Sequence, residues 1–570
     1  MNGADFIVNF LIKKNVSDVF GIPGGVVLDF LYSINRYSPK IKAHLNFHEQ
    51  NSIAAAIGFS KTSQNLGVAY ATRGPGITNM VTGVSDAYFD SSPVLIITGH
   101  SASPPSNGMR VSFDQEIDVI QMFSGITKYA ARIDYVEDLS RVLNQAYIEA
   151  MSDRKGPVLL DIHSQVLSSE IKSEKLEIPY NLQPKKVGDI NLTAQEITNR
   201  ISVSKRPVFL LGDGFRNSGV TKTMLAFSEC NKIPVLSSRF SQDLFQSSSS
   251  FYGYVATKGL RYSNYILSKS DLIIVIGNRM TFPITSQSWS KVVHEIPKIR
   301  VDIDAAELSR EFPNCINFNE NLVPLVERLK TMTINYEGGD KWLSICDGIQ
   351  KLLNNYEIDY PVTGIIKILE KIQSDTTVVS DVGNHEYWLA RASAFSKIPN
   401  TTLYSKSFGA LGSALGRSIG AYYSTLRPVY CFIGDQGIQM SIQELQFIST
   451  HKLPITIILL NNFSSGMIRS REKVKYGKEF FPLHTTLDSG YSNPNFINIA
   501  KSYGIQSSSY NENNYEELND QIEKSSTSPQ FIEFRINSDI ELIAYTPPGK
   551  PLQNMLPTIE DNMIRYIEKL

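Results

Sequence analysis

The sequence predicts an α/β protein built as three doubly wound, parallel-sheet units, and three observations carry that expectation. Short apolar runs rich in Val and Ile recur between helical stretches, and they are uninterrupted rather than alternating. A strand apolar on both faces is covered on both faces, and strands alternating with helices build parallel sheets. At 570 residues the chain also exceeds what one ordinary core holds.

In order, the chain opens with MNGADFIVNFLIKKNVSDVFGIPGG, a short amphipathic helix leading into a strand. The runs GVAYAT (67–72), PVLIITG (93–99) and PVLLDI (157–162) follow, then the polar stretch 173–192, which lacks either hydrophobic period and reads as a linker. PVFLLGD (207–213) and DLIIVIG (271–277) precede a second such stretch, 333–342. TVVSDVG (377–383), PVYCFIGD (428–435) and PITIILLNN (454–462) complete the series. The units expected are 1–172, 185–335 and 355–545, followed by a tail, 546–570. Proline at the start of that tail forbids regular helix or sheet there, so it reads as a covering flap or a loose end.

Composition narrows the function. Fifty-five basic and 56 acidic side chains give a formal net charge of -1, which leaves no bulk field to draw nucleic acid or an anionic membrane. No apolar run approaches the ~20 residues that span a bilayer, and the first residues lack the pattern of a secretory signal. Cys230, Cys315, Cys346 and Cys431 form no C-x-x-C, so neither a zinc site nor a disulfide framework is expected. A cytoplasmic protein acting on small molecules fits these features.

The strongest chemical feature begins where PVYCFIGD ends and GDQGIQMSIQELQ (434–446) turns into a helix. The next strand ends in NNFSSGMIRS (461–470), so that Asn462 follows Asp435 by 27 positions. Ligands of open parallel sheets bind at the carboxyl ends of the strands, and a helix start favours a phosphate. Mg²⁺ takes hard oxygen ligands in an octahedron, and it is held by one or two protein groups together with phosphates. The Asp435 carboxylate, the Asn462 amide oxygen and the Ser464 carbonyl would supply half of such a shell.

In that spacing and context the chain resembles the thiamine-diphosphate-dependent enzymes, specifically the acetolactate-synthase-like branch, including members from branched-sugar pathways of surface polysaccharides. The resemblance runs from about residue 3 to 545 and implies pyrimidine-binding, middle and diphosphate-binding domains in that order. Thiamine diphosphate and Mg²⁺ are the implied cofactors, with Asp435, Asn462 and Ser464 on the metal and Gly434, Gln436 and Gly437 at the diphosphate. Gln436 stands where little room is usual.

Further residues follow from the same resemblance. Glu49, in NFHEQNSIAAAIGFSK (46–61), would activate the cofactor by protonating its pyrimidine ring. Pro23, Pro75 and Asn79 would lie beside that ring. Gln115, the other catalytic residue the resemblance implies, belongs to the segment 112–130, which carries Asp114 where Phe is usual in the family. Gly383, Asn384 and His385 map to the loop that holds the diphosphate. Gly409 and Leu411 map to the segment that bends the cofactor, and Met440, Gly466, Met467 and Ile468 line its rings.

In acetolactate synthases the middle domain binds FAD. Here Gly212-x-Gly214 is only part of a dinucleotide fingerprint. Arg279, Met280, Thr281 and Phe282 stand where flavin binders carry Arg-Phe-Asp-Asp, so the resemblance leaves FAD open.

The implied reaction is decarboxylation of a 2-keto acid such as pyruvate and transfer of the acyl unit to a carbonyl acceptor. Arg471 occupies the place of the Trp with which acetolactate synthases select a small keto acid. With Arg469 and Lys473 it reads as a basic rim suited to phosphate or carboxylate. Two acceptors therefore compete, a second keto acid and a nucleotide-linked keto sugar. A simple decarboxylase releasing an aldehyde ranks third. A nucleotide-binding oxidoreductase would need a full G-x-G-x-x-G, and a scaffold without catalysis would lack Glu49, Asp435 or Asn462. Because Glu49 and Asp435 meet across two chains in the family, a homodimer or homotetramer is expected.

Overall fold

The structure, a computed structural model, describes residues 1–101, 114–171, 188–281, 295–358, 360–396, 400–477, 481–518, 522, 527–540 and 544–570. Their strands form three six-stranded sheets with helices on both faces. In the first, β1 (Asp18–Gly21), β2 (Lys42–Leu45), β3 (Gly67–Tyr70), β4 (Val94–His100), β5 (Tyr129–Ile133) and β6 (Val158–His163) are parallel in the order 2-1-3-4-6-5. The second holds β7 (Pro207–Leu211), β8 (Val235–Ser237), β9 (Phe251–Tyr254), β10 (Leu272–Ile276), β11 (Lys298–Asp302) and β12 (Cys315–Asn319). They run 9-8-7-10-11-12, the order of a doubly wound nucleotide-binding sheet. The third comprises β13 (Thr377–Ser380), β14 (Thr401–Tyr404), β15 (Val429–Gly434), β16 (Ile455–Asn461), β17 (Gln506–Tyr510) and β18 (Gln530–Arg535). Its order, 14-13-15-16-18-17, repeats that of the first sheet.

The uninterrupted apolar runs became the central strands. β3, β4, β6, β10 and β16 are buried along their whole length, as a strand covered on both faces must be.

By their contacts the residues divide into two bodies. One comprises Met1–Pro184, Thr376–Glu386 and Thr402–Asp539, and so holds the first and third sheets. One core runs through it, from Ile53 and Ile57 to Leu415, Ile457 and Phe531. Inside it the helix Glu49–Ser63 and the helix Ala414–Thr425 touch backbone to backbone. A Cβ on Gly420 would overlap the Ala55 carbonyl, and one on Gly416 would lie 2.7 Å from the Asn51 carbonyl oxygen. The Arg417 side chain, buried in the same contact, pairs with Asp86 and donates to the Tyr404 carbonyl at 2.6 Å.

The other body comprises Lys185–Asp375, Tyr387–Thr401 and Ile540–Leu570. Here two expectations are corrected. The stretch 173–192 is not all linker, because Asp189 caps a helix, Ile190–Val203, by accepting from the Asn191 N–H at 2.9 Å. The part of that stretch at 173–187 lies outside the described residues. In 333–342 the helix Gly339–Leu353 has already begun, and Trp342 is buried with its Nε1 donating to the Pro207 carbonyl at 3.0 Å. Both helices begin beside a Gly-Asp pair, Gly188–Asp189 and Gly339–Asp340, which reads as a turn, and that hid them. The tail is not a loose end: Leu552, Ile559 and Ile567 join Trp342 and Ile349 in a core over the middle sheet, and the helix Asp561–Lys569 closes the chain. No helix among the described residues is long and apolar enough to cross a membrane.

Candidate functional site

In the first sheet the strand order reverses between β1 and β3, where an open sheet forms its ligand crevice. Pro23 follows β1 there, and Gly24 packs so closely on Thr72 that a Cβ would lie 2.5 Å from Thr72 Oγ1. A Cβ on Gly74 would lie 2.8 Å from that of Gln115, whose φ is +56°. Glu49 is the first residue of its helix and 8% exposed. Its Oε2 accepts from Asn79 Nδ2 at 2.9 Å, and a Cβ on Gly76 would meet Oε1 at 3.4 Å. The structure thus gathers Pro23, Glu49, Pro75, Asn79 and Gln115 on the loops at one end of this sheet. Pro23, Pro75, Asn79 and Gln115 are exposed around a nearly buried carboxyl.

The third sheet reverses between β13 and β15, and the second group of residues collects there. Gly383 ends the short loop after β13 and Asn384 and His385 open the helix Asn384–Phe395, while Asp435 opens a short helix directly after β15. A Cβ on Gly434 would lie 3.2 Å from the His385 ring. One on Gly466 would lie 2.5 Å from Asn462 Nδ2 and 2.9 Å from Asn384 Nδ2. The β15–β16 register pairs Gly434 with Leu460, so Asp435 and the Asn461–Asn462 pair leave the sheet side by side. Asn461 is committed to the protein: its Nδ2 donates to Glu533 at 2.7 Å and its Oδ1 accepts from the Phe463 N–H at 3.1 Å. Ser464 follows, buried, with its hydroxyl on the Thr485 carbonyl at 2.6 Å, which turns its loop back over the strand ends.

The polar groups left over at this crevice fit a diphosphate and a hard cation. Asn384 Oδ1 and His385 Nε2 are buried without a hydrogen-bond partner. A buried polar atom without a partner is uncommon and marks a place for a ligand. Burial pushes the His385 imidazole down to about 4, against a hydrogen bond to the Asp381 backbone that favours its charged form. Burial raises the Asp435 carboxyl, and Asn493 Nδ2, donating at 2.8 Å, acts in the other direction. Apolar side chains stand partly exposed around the same strand ends, with Met440 54% and Ile468 45% accessible and Leu411 half-buried.

Two sequence expectations change. Gln436 is not cramped, because its side chain is exposed and its Oε1 accepts from Ser465 Oγ at 3.1 Å. Arg469 does not stand on a free basic rim. It is held by the Ser538 carbonyl and by Asp539 at 2.7 Å, so Arg471 is the exposed cation of that helix turn.

Sequence reasoning missed Asp381, Asn493 and Glu444. Asp381 is buried, with burial pushing its carboxyl up to about 7, and it accepts from the Gly412 N–H at 2.9 Å. It thereby fixes the Gly409–Leu411 loop, and a Cβ on Gly437 would overlap its carboxylate. Asn493 bridges Asp435 and Asn461 Oδ1, the latter at 2.9 Å. Glu444 reaches the segment before Glu49. The available signals were the Asp of SDVGNH, just after β13, and an Asn within SGYSNPNF, in a loop.

Three descriptions of known protein families match the chain in order. The N-terminal TPP binding domain of thiamine pyrophosphate enzymes matches residues 1–122, their central domain 194–329, and their C-terminal TPP binding domain 381–534. A probable acetolactate synthase large subunit of Methanocaldococcus jannaschii is 30% identical over 98% of this chain and 96% of its own. The chain belongs to the thiamine pyrophosphate enzyme family. Other members include an acetolactate synthase large subunit of Lactococcus lactis, 32% identical over 89% of this chain and 87% of that one. The acetolactate synthase isozyme 2 large subunit of Escherichia coli is 27% identical, over 98% and 99% respectively. This family member is therefore a thiamine-pyrophosphate-dependent enzyme of the acetolactate-synthase type.

Proposed function

We propose that the enzyme decarboxylates a 2-keto acid, pyruvate foremost, and joins the acyl unit to a second carbonyl compound. The observation that carries this reading is the pair of buried, partnerless atoms Asn384 Oδ1 and His385 Nε2 at the β13–β15 crevice, next to Asp435. When bound, thiamine diphosphate supplies the electron sink that decarboxylation of a 2-keto acid requires. Asp435, Asn462 and the Ser464 carbonyl hold Mg²⁺, and Asn384 and His385 hold the diphosphate. Leu411, Met440, Met467 and Ile468 exclude water from the reacting centre, which strengthens the electrostatic interactions inside it. Glu49 gives and takes a proton at the pyrimidine ring, and Asn79 orients its carboxyl.

Two chains complete the site, Glu49 coming from one and Asp435 from the other, so the working form is at least a homodimer. A second 2-keto acid is the acceptor favoured by the relatives, which are named acetolactate synthases. The exposed Arg471 favours a second reading, an acceptor carrying phosphate such as a nucleotide-linked keto sugar. The order of the middle sheet supports a nucleotide crevice at β7–β10. The Gly212–Gly214 turn is there in backbone contact with Gly277, whose carbonyl accepts from the Gly214 N–H at 3.1 Å. Flavin absorbance of the purified protein decides whether FAD occupies that unit.

The main test incubates the protein with pyruvate, thiamine diphosphate and Mg²⁺, follows CO₂ release, and identifies the product with and without a keto-sugar nucleotide. Acetolactate formed without the sugar and lost in Glu49→Gln supports the first acceptor. Release that rises only on adding the sugar supports the second. Absence of cofactor-dependent release from any 2-keto acid refutes the proposal.

A further inference from the structure

Glu444 opens the helix Glu444–Thr450, next to the third sheet, and its side chain is fully buried. Its carboxylate reaches the segment that delivers Glu49. Oε2 accepts from Asn46 Nδ2 at 3.0 Å, and Oε1 accepts from the Phe47 N–H at 2.9 Å. The Asn51 side chain and the His48 N–H also favour its charged form. Residues on both sides of Glu49 are thus gripped by one carboxylate from a distant part of the same chain. Glu49's own carboxyl is left to Asn79.

The physical case rests on what a buried carboxylate costs and what it fixes. An unpaired buried charge is strongly unfavourable, so this one is tolerable only where donors converge on it. They converge from the connection between the end of β2 at Leu45 and Glu49 and from Asn51 in the first turn of the helix, a helix start where negative charge is favoured. That connection is the mount from which the Glu49 side chain projects. A group that exchanges a proton with a ligand must be held in hydrogen-bond reach of it, and a displacement of about 1 Å is enough to cost about 100-fold in rate.

Resting on the reading of Glu49 given above, we infer that Glu444 is a positioning residue for Glu49, and that loss of its grip slows activation of the cofactor without releasing it. The geometry also supplies a conservative variant. Asn46 Oδ1 is buried without a partner, so rotation of the Asn46 carboxamide lets it receive the amide of Glu444→Gln. The contact then survives while the charge is gone.

The experiment uses protein reconstituted with thiamine diphosphate and Mg²⁺ and compares Glu444→Ala, Glu444→Gln and Glu49→Gln. Exchange of the thiazolium C2 proton for deuterium reads activation, and a titration reads cofactor affinity. Backbone amide exchange of the peptide holding Phe47 and His48, measured without cofactor, reads the grip itself. Glu444→Ala is expected to slow C2 exchange by about 10- to 100-fold, to expose those amides, and to leave the dissociation constant within about threefold of wild type. Glu444→Gln is expected to recover most of the rate. Wild-type C2 exchange in Glu444→Ala overturns the inference, as does a loss of affinity that parallels the loss of exchange. If Glu444→Ala does not fold, Asn46→Ala removes one of its contacts, and unchanged C2 exchange there overturns it equally. Wild-type exchange in Glu49→Gln would refute the role of Glu49 and this inference together, whereas slow exchange there with a normal Glu444→Ala refutes this inference alone.

Discussion

A carboxyl taken out of water gains affinity for its proton, and Glu444 and Asp381 carry that cost in order to hold backbone in place. Burial pushes each up to about 7, from ordinary values of 4.5 and 3.8. A carboxyl raised in the folded state contributes stability that is fully present below its unfolded value and is lost as pH rises through the folded one. Glu444→Gln, which has no proton to lose, should therefore gain on the wild type as pH climbs from 4.5 to about 7. Denaturant unfolding at stepped pH checks this, and a pH-independent difference between the two proteins would contradict it. Asp435 and Asn462 were legible in the sequence because each ends an apolar strand. Asp381 also follows an apolar strand, but its role and that of Glu444 were not legible, because their partners lie 31 and 398 positions away. For Asp435→Ala we expect loss of Mg²⁺-dependent cofactor binding with the fold retained. In the wild type, chelation of the metal should lower the thermal midpoint only when cofactor is present, as ligand linkage requires. Calorimetry with and without chelator separates the two contributions.

At the scale of elements, the contact between the helices Glu49–Ser63 and Ala414–Thr425 ties the first sheet to the third. In an exposed helix a Gly→Ala change stabilises by about 1 kcal/mol. At Gly420 the sign should reverse, because the new methyl group would overlap the Ala55 carbonyl. Overpacking of this kind costs about 1–3 kcal/mol, so a lower urea midpoint is expected for Gly420→Ala, and a higher one would show that the helices separate freely. The sequence revealed most of the strands now buried along their length and missed the edges, for a physical reason. β2, β12 and β17 each have partly exposed faces and carry polar residues, as in KAHL, CINFN and QSSSY, so neither an apolar run nor a clean alternation marks them. The Gly212-x-Gly214 pair was visible only as part of a dinucleotide fingerprint. Its reason is the close approach of two strand ends, which only the fold brings together.

At the scale of the molecule, the repeated strand order of the first and third sheets gives two crevices, each with half of the residues proposed to carry the chemistry. Glu49, Pro75 and Asn79 are at one, and Asn384, His385 and Asp435 are at the other. If a working site joins the first crevice of one chain to the second crevice of its partner, two inactive variants repair each other. In a twofold dimer of Glu49→Gln with Asp435→Ala, one site carries both substitutions and the other carries neither. Random mixing makes half of the dimers hybrids with one intact site each, so about a quarter of wild-type activity should return. The mixture must first be allowed to exchange subunits, and a sedimentation run at the assay concentration confirms that dimers are present. Recovery near that fraction assigns Glu49 and Asp435 of each site to different chains. A mixture that stays as inactive as its parents, in dimers shown to have exchanged, places both residues of each site in the same chain and removes the reason for an obligate dimer.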